Sequence, residues 1–165
     1  MADVTGTYYV GTCDIGYGSE WLIGQDDGSP ETFVSVAYVN NISFGDMTAN
    51  IINKTHLRSP GRAHEKCATI RDLGAFTMTG TLNMKHGSHN NAGGDGFNTP
   101  GGLIYLHRTL AERNMKIILN DGSPVTELPF AGVISSLNLG ELSLEGLQAF
   151  TAQVQPLSDY TAALP

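Results

Sequence analysis

Ala75-Phe76-Thr77-Met78-Thr79-Gly80-Thr81-Leu82-Asn83-Met84-Lys85 alternates in character over eleven positions. Phe76, Met78, Gly80, Leu82 and Met84 fall on one side, and Ala75, Thr77, Thr79, Thr81, Asn83 and Lys85 on the other. A period of two is the signature of a β-strand, whose successive side chains point to opposite faces. One apolar and one polar face predict a strand of an antiparallel sheet, with a core beneath and water above. Phe76, Met78 and Leu82 are assigned to that core. The polar face is Thr and Asn, with a charge only at Lys85.

Working outward, Thr32 to Phe44 also reads as a strand, with Val34, Val36 and Tyr38 alternating against Phe33, Ser35, Ala37 and Val39. Gly45 to Leu73 has no clear period, and an irregular stretch of that length inside a domain is often functional. His86 to Asn98 is rich in Gly, Asn and His and reads as a mobile loop. Thr99-Pro100 predicts a helix, with Thr99 as cap, Pro100 in the first turn, and Leu103, Leu106, Leu110 and Ala111 at helical spacing. Asn114 is its expected end. Met115–Asn120, Leu128–Ser136 and Leu147–Gln155 read as further strands. Residues 1–31, rich in Gly, Tyr and Asp, read as an extended arm with strand pieces near Tyr8–Thr12 and Trp21–Gly24. Trp21, the only Trp, is expected to anchor it. The order predicts a mainly β (α+β) fold, an antiparallel β-sandwich or barrel with one flanking α-helix.

The chain has 165 residues, the size of one domain, with 41% hydrophobic residues to fill its core. Only 15% of residues are charged and the net charge is -7. The first fifty residues hold seven acids and no Lys or Arg, whereas five of the nine bases lie between Lys54 and Arg71. An acidic chain without a large basic block is a poor candidate for tight nucleic-acid binding. No apolar run is long enough for a membrane-spanning helix. The N-terminal residues lack the features of a signal peptide. Cys13 and Cys67 alone make no disulfide framework. Assembly in a reducing cytoplasm is the expectation.

Candidate chemistry is sparse. His64 and Cys67 stand at metal-ligand spacing, but no second pair accompanies them. His86 and His89 could offer two imidazoles, but their Gly and Asn neighbours point to a loop. There is no Gly-x-Ser-x-Gly elbow, and neither Gly93-Gly94-Asp95-Gly96 nor Gly101-Gly102 is followed by the Lys-Ser/Thr of a phosphate loop. No catalytic, metal or cofactor site is expected. The basic segment Lys54–Arg71 has a plainer reading as a solvated loop, and a functional one as a surface complementary to the acidic parts of another copy. Head-to-tail contacts of that kind build rings and filaments.

The stretch from Asn53 to Asn83 resembles the signature region of siphophage major tail tube proteins. The resemblance rests on Asn53-Lys54-Thr55-His56-Leu57-Arg58-Ser59-Pro60-Gly61-Arg62 and on Ile70-Arg71-Asp72-Leu73-Gly74-Ala75-Phe76-Thr77-Met78-Thr79-Gly80. The later helix, the Asp-Gly turn, the strand at Phe130–Ile134 and the long closing strand follow in the family's order. It spans residues 32–156, between the arm 1–31 and a tail 157–165, with 86–98 resembling an insertion.

The resemblance implies hexameric rings that stack head to tail into a hollow tube, each subunit giving strands to a shared β-barrel. It implies a virion location, assembly in the bacterial cytoplasm, and no enzyme activity. Implied partners are other copies of the chain, a tape measure protein, tail terminator and tip proteins, and passing DNA touched without specificity. By the same resemblance Lys54, Arg58, Ser59, Pro60, Gly61, Arg62, Lys66 and Arg71 lie where a loop reaches the adjacent ring. Thr77, Thr79, Thr81, Asn83 and Gln153 become candidates to face the lumen. Competing expectations are a tube of a contractile tail or type VI secretion system, a carbohydrate-binding β-sandwich, and a small hydrolase.

Overall fold

A computed structural model describes residues 18–53, 66–120, 125–141 and 147–157. The strands are β1 (Glu20–Gly24), β2 (Phe33–Ser35), β3 (Val39–Ser43), β4 (Met47–Asn53), β5 (Lys66–Leu73), β6 (Phe76–Thr81), β7 (Arg113–Leu119), β8 (Thr126–Asn138) and β9 (Ala149–Pro156). One helix, α1 (Gly102–Thr109), lies between β6 and β7 among the described residues.

Seven strands form one sheet in the order β2-β1-β7-β8-β9-β6-β3, and β4 and β5 form a separate pair. Every pairing is antiparallel. The two edge strands are consecutive in the chain, joined only by Val36, Ala37 and Tyr38. A flat sheet of this width would separate its edges by roughly 29 Å. The backbone from Ser35 to Val39 can span at most about 14 Å. The sheet must therefore curl until its edges approach, leaving a barrel with one seam. The Val36 N–H donates to the Trp21 carbonyl (2.8 Å) and the Thr81 N–H to the Tyr38 carbonyl (3.0 Å), one bond on each side of the seam.

The core fills the inside of the curl. Trp21 and Ile23 of β1, Phe76 and Met78 of β6, Met115 and Ile117 of β7, Phe130 and Ile134 of β8, and Phe150, Ala152 and Val154 of β9 are all buried. Leu103 and Leu106 of α1 and Phe97 join the same cluster. Trp21 thus anchors its segment as expected, and the packed unit reaches back at least to β1.

Several elements depart from expectation. β6 ends at Thr81, where the Leu82 N–H donates to Gln148. Beyond it, the Asn83 carbonyl and side-chain oxygens receive the N–H groups of His86 and Lys85, which makes a turn. Leu82 still packs on the core, but Met84 is 49% exposed. Thr32–Phe44 is two strands, because Tyr38 adopts φ 59° and breaks the extended path. Gly45–Leu73, expected to be irregular, contains β4 and β5. The helix begins two residues after Pro100 and has Gly101 as its N-cap, with no side-chain cap. Its Leu103 N–H is satisfied instead by the Ser88 carbonyl at 2.7 Å. Leu110, in a left-handed conformation, ends it before Asn114, and Asn114 already belongs to β7. The Tyr8–Thr12 strand piece lies outside the described residues.

The largest correction concerns residues 86–98. Read as a mobile loop, this segment is anchored in the interior at Gly87–His89 and at Phe97, while Asn91, Ala92, Asp95, Gly96 and Asn98 are exposed. Ser88 and His89 are fully buried and Phe97 belongs to the core.

Candidate functional site

The register of four strands lays polar residues side by side. Ser43, Thr77, Gln153 and Ser136 form one row across β3, β6, β9 and β8. Asn41, Thr79, Thr151 and Asn138 form the next. Between them runs an apolar row, Ile42, Met78, Ala152 and Leu137, on the opposite face. At strand spacing each row is about 14 Å wide. The two polar rows carry eight side chains that donate or accept hydrogen bonds, and none of them is ionisable at neutral pH.

A β-bulge at Ser135 maintains this face. Up to Ile134 the even-numbered residues of β8 point inward. Ser135 is an extra residue in the register, its hydroxyl donating to the Gln153 carbonyl at 3.1 Å. After it Leu137 turns inward and Ser136 and Asn138 turn outward. Ser136, Asn138, Thr151, Asn41 and Ser43 belong to the surface that sequence reasoning had assigned only to β6 and Gln153. For Ser136, Asn138, Asn41 and Ser43 the cue was cross-strand register, which no single segment displays; Thr151 shares the alternation of Gln153 within β9.

The expected lumen-facing residues occupy distinct places. Thr77 and Thr79 lie in the two rows, half-buried, with Gln153 exposed beside Thr77. Thr81 ends β6, its hydroxyl 3.5 Å from the Asn40 side-chain amide. Asn83 lies past the strand, in the turn.

The pair β4–β5 extends the strands β3 and β6 away from the sheet. The crossing point is tight: the Gly74 N–H donates to the Asp46 carbonyl at 3.1 Å, and a Cβ on Gly74 would stand 2.6 Å from that same oxygen. From there the two strands pair from Met47 with Leu73 to Asn53 with Lys66. Seven residues of β4 give this arm a length of about 23 Å. Lys66 and Arg71 lie on β5, Arg71 opposite Ala49. Lys54, Arg58, Ser59, Pro60, Gly61 and Arg62 lie outside the described residues, as do His64 and Cys13.

The remaining charged surface is different in kind. On β7 and β8 the Lys116 ammonium sits 3.0 Å from a Glu127 carboxylate oxygen and 4.5 Å from the centre of the Phe33 ring. Arg113 pairs with Asp26 at 3.3 Å beside Glu31, Glu112 and Asn114. The Glu31 carboxylate is already engaged, accepting from the Asp26 N–H and from Asn114.

The histidine segment offers no catalytic constellation. His86 Nδ1 lies 2.8 Å from the Ser88 hydroxyl and 3.8 Å from an Asp95 oxygen, so hydroxyl and acid meet the same nitrogen. A nucleophilic triad needs them on opposite nitrogens. Ser88 is buried and its oxygen also receives the Ala37 N–H at 3.3 Å. Both nitrogens of His89 are bonded to backbone, to the Asn83 N–H at 2.9 Å and the Ala37 carbonyl at 2.9 Å. Neither is open to a metal.

No protein-family model matches the sequence, and no curated protein matches it. Solved structures do resemble it. A chain in the tail of an empty gene transfer agent particle, with C6 symmetry, is 14% identical with a TM-score of 0.55, covering 87% of this chain and 95% of that one. A chain of the anti-feeding prophage baseplate is 12% identical with a TM-score of 0.52, covering 87% and 91%. A chain of the SPP1 tail tube is 8% identical with a TM-score of 0.51, covering 89% and 78%. The molecule belongs to the mainly β class, with a single short helix among the described residues. Within that class its fold is the one found in phage-like tail structures.

Proposed function

We propose that this chain is a structural tail protein that polymerises as stacked hexameric rings into a hollow tube, without enzyme activity. The observation that carries the reading is the combination of the tail-type fold with two uncharged polar rows on its sheet. A conduit for DNA needs a surface that stays hydrated yet offers no cations to phosphate. Rows of Ser, Thr, Asn and Gln meet that need, which makes Thr77, Thr79 and Gln153 the central lumen candidates. Thr81 and Asn83 stand at the margin of the same face.

In this reading the arm β4–β5 and the basic segment from Lys54 to Arg71, whose Lys66 and Arg71 lie on β5, make the contact between rings. The tube holds a tape measure protein and later conducts DNA, capped by terminator and tip proteins, in a virion assembled in the host cytoplasm. Of the expected arm 1–31, β1 is part of the sheet, so only the residues before it are left to serve as an arm, and 157–165 serve as a tail. A second reading, the same ring in a baseplate or contractile machine, draws on the likeness to the anti-feeding prophage baseplate. A sheath gene beside this one would favour it.

Self-assembly is the test. Negative-stain microscopy of the purified protein should show rings or tubes with a central hole. A monodisperse monomer at high concentration under all salt conditions would sink the proposal.

A further inference from the structure

A buried histidine is one of the groups that fasten the seam where the sheet closes on itself. The seam's linker, Val36-Ala37-Tyr38, is fastened to the segment 86–98 at Ala37. The Ala37 carbonyl faces His89 Nε2 at 2.9 Å, and the Ala37 N–H donates to the Ser88 hydroxyl. On the other side of the ring, the Asn83 N–H points at His89 Nδ1. A backbone N–H can only donate and a carbonyl can only accept. His89 is therefore neutral, with its proton on Nε2.

The linker is not relaxed. Tyr38 holds φ 59°, a left-handed conformation that is an outlier for a bulky residue. Its carbonyl is tied to the Thr81 N–H, and its ring meets the edge of His86 at 6.0 Å. The titratable groups facing His89 are His86 on its own segment, at 6.1 Å between rings, and Tyr38 from the linker, at 6.2 Å. β9 presents only the Phe150 ring, at 4.9 Å. No carboxylate directly faces His89 among the described contacts; Asp95 reaches His86.

We propose that His89 is a proton-sensitive latch: taking up a proton on Nδ1 sets it against the Asn83 N–H and drives the ring out of its site, so that its Nε2–H bond to the Ala37 carbonyl is lost with it and the seam between β2 and β3 loosens. A protonated ring would present a donor to a donor in a dry site beside a second imidazole. Burial first, and His86 to a lesser degree, hold the imidazole below its ordinary value, against the opposing pull of the Ala37 carbonyl. The sign follows. The closed seam is fully stable above about pH 6.5, the ordinary histidine value, and loses stability as pH falls toward the lowered value. The loss is up to about tenfold in the closed-to-open ratio per pH unit in that window. The latch rests on the fold alone, so it stands apart from the tube reading.

The test is hydrogen exchange of the full chain between pH 7.5 and 5, expressed as protection factors so that intrinsic rates cancel. Protection at Ala37, Asn83 and Thr81 should fall by up to about tenfold per pH unit below about 6.5, while Ala152 in the sheet interior stays flat. His89→Gln retains an acceptor and a donor but cannot titrate, and should abolish the step; His86→Asn should preserve it. A step that survives H89Q, or that H86N removes, overturns the proposal. If H89Q does not fold, the wild-type imidazole ¹⁵N shifts decide. Protonation of His89 should coincide with the loss of protection. Protonation without that loss, or the loss with a neutral His89, overturns it.

Discussion

A Cβ built on Gly80 would stand 2.3 Å from the Tyr38 carbonyl oxygen and 2.6 Å from the Phe150 ring. Glycine is required there by close approach, because the end of the linker runs alongside β6 at that point, where Val39 pairs with Gly80. Gly80→Ala is expected to destabilise the fold by about 1–3 kcal/mol, as overpacking does, measured by denaturant unfolding. A second comparison separates two methionines that share one face of the Ala75–Lys85 pattern. Met78 is fully buried, and Met78→Ala should cost about 2–5 kcal/mol. Met84 is half exposed beyond the strand end, and Met84→Ala should change stability by less than about 0.5 kcal/mol. Alternation alone ranks the two equally. Their difference arises from Asn83, whose oxygens cap a turn that periodicity does not register.

Elements were legible where they bury one face and obscure where they do not. β6 and β9 alternate cleanly because the core lies beneath them along their length. β4 and β5 were invisible for the converse reason. The two strands pair only with each other, and a register shift between Asn50 and Ile51 interrupts their alternation. The segment 86–98 misled for a different reason. Gly and Asn supply its backbone turns, while burial falls on Ser88 and His89, which are polar but satisfied by backbone partners. The arm also carries a prediction. Arg58→Glu with Arg62→Glu should shorten tubes and reduce their yield in negative-stain images. Unchanged length and yield would remove the basic segment from the contact between rings.

At the scale of the whole molecule, the proposed tube makes the two faces of the sheet differ in access. In a chain with Cys13→Ser and Cys67→Ser, a cysteine at Gln153 should react with a small maleimide in assembled tubes. It should resist one carrying a polymer too large for the lumen. A cysteine at Glu127, on the charged part of the sheet, provides the comparison, and equal reaction of Gln153→Cys with both reagents would show that the polar rows do not face a lumen. The low charge content then has a location. The Lys116–Glu127 and Arg113–Asp26 pairs lie around β7 and the first part of β8, whereas the uncharged rows cross β3, β6, β9 and the last part of β8.

The sequence by itself determined the class, a mainly β chain with one helix, together with the two-faced character of β6 and β9 and the polar chemistry of their outer face. These follow from local rules, since a period of two needs only neighbours along the chain. Tertiary structure alone decided that β2 and β3 are opposite edges of one sheet, brought together by three residues. It also decided that Ser43, Asn41, Ser136 and Asn138 complete the polar rows, and that His89 helps fasten the seam. Those relations join residues far apart in the chain, through pairing register and burial, and neither is written in the composition or period of any single segment.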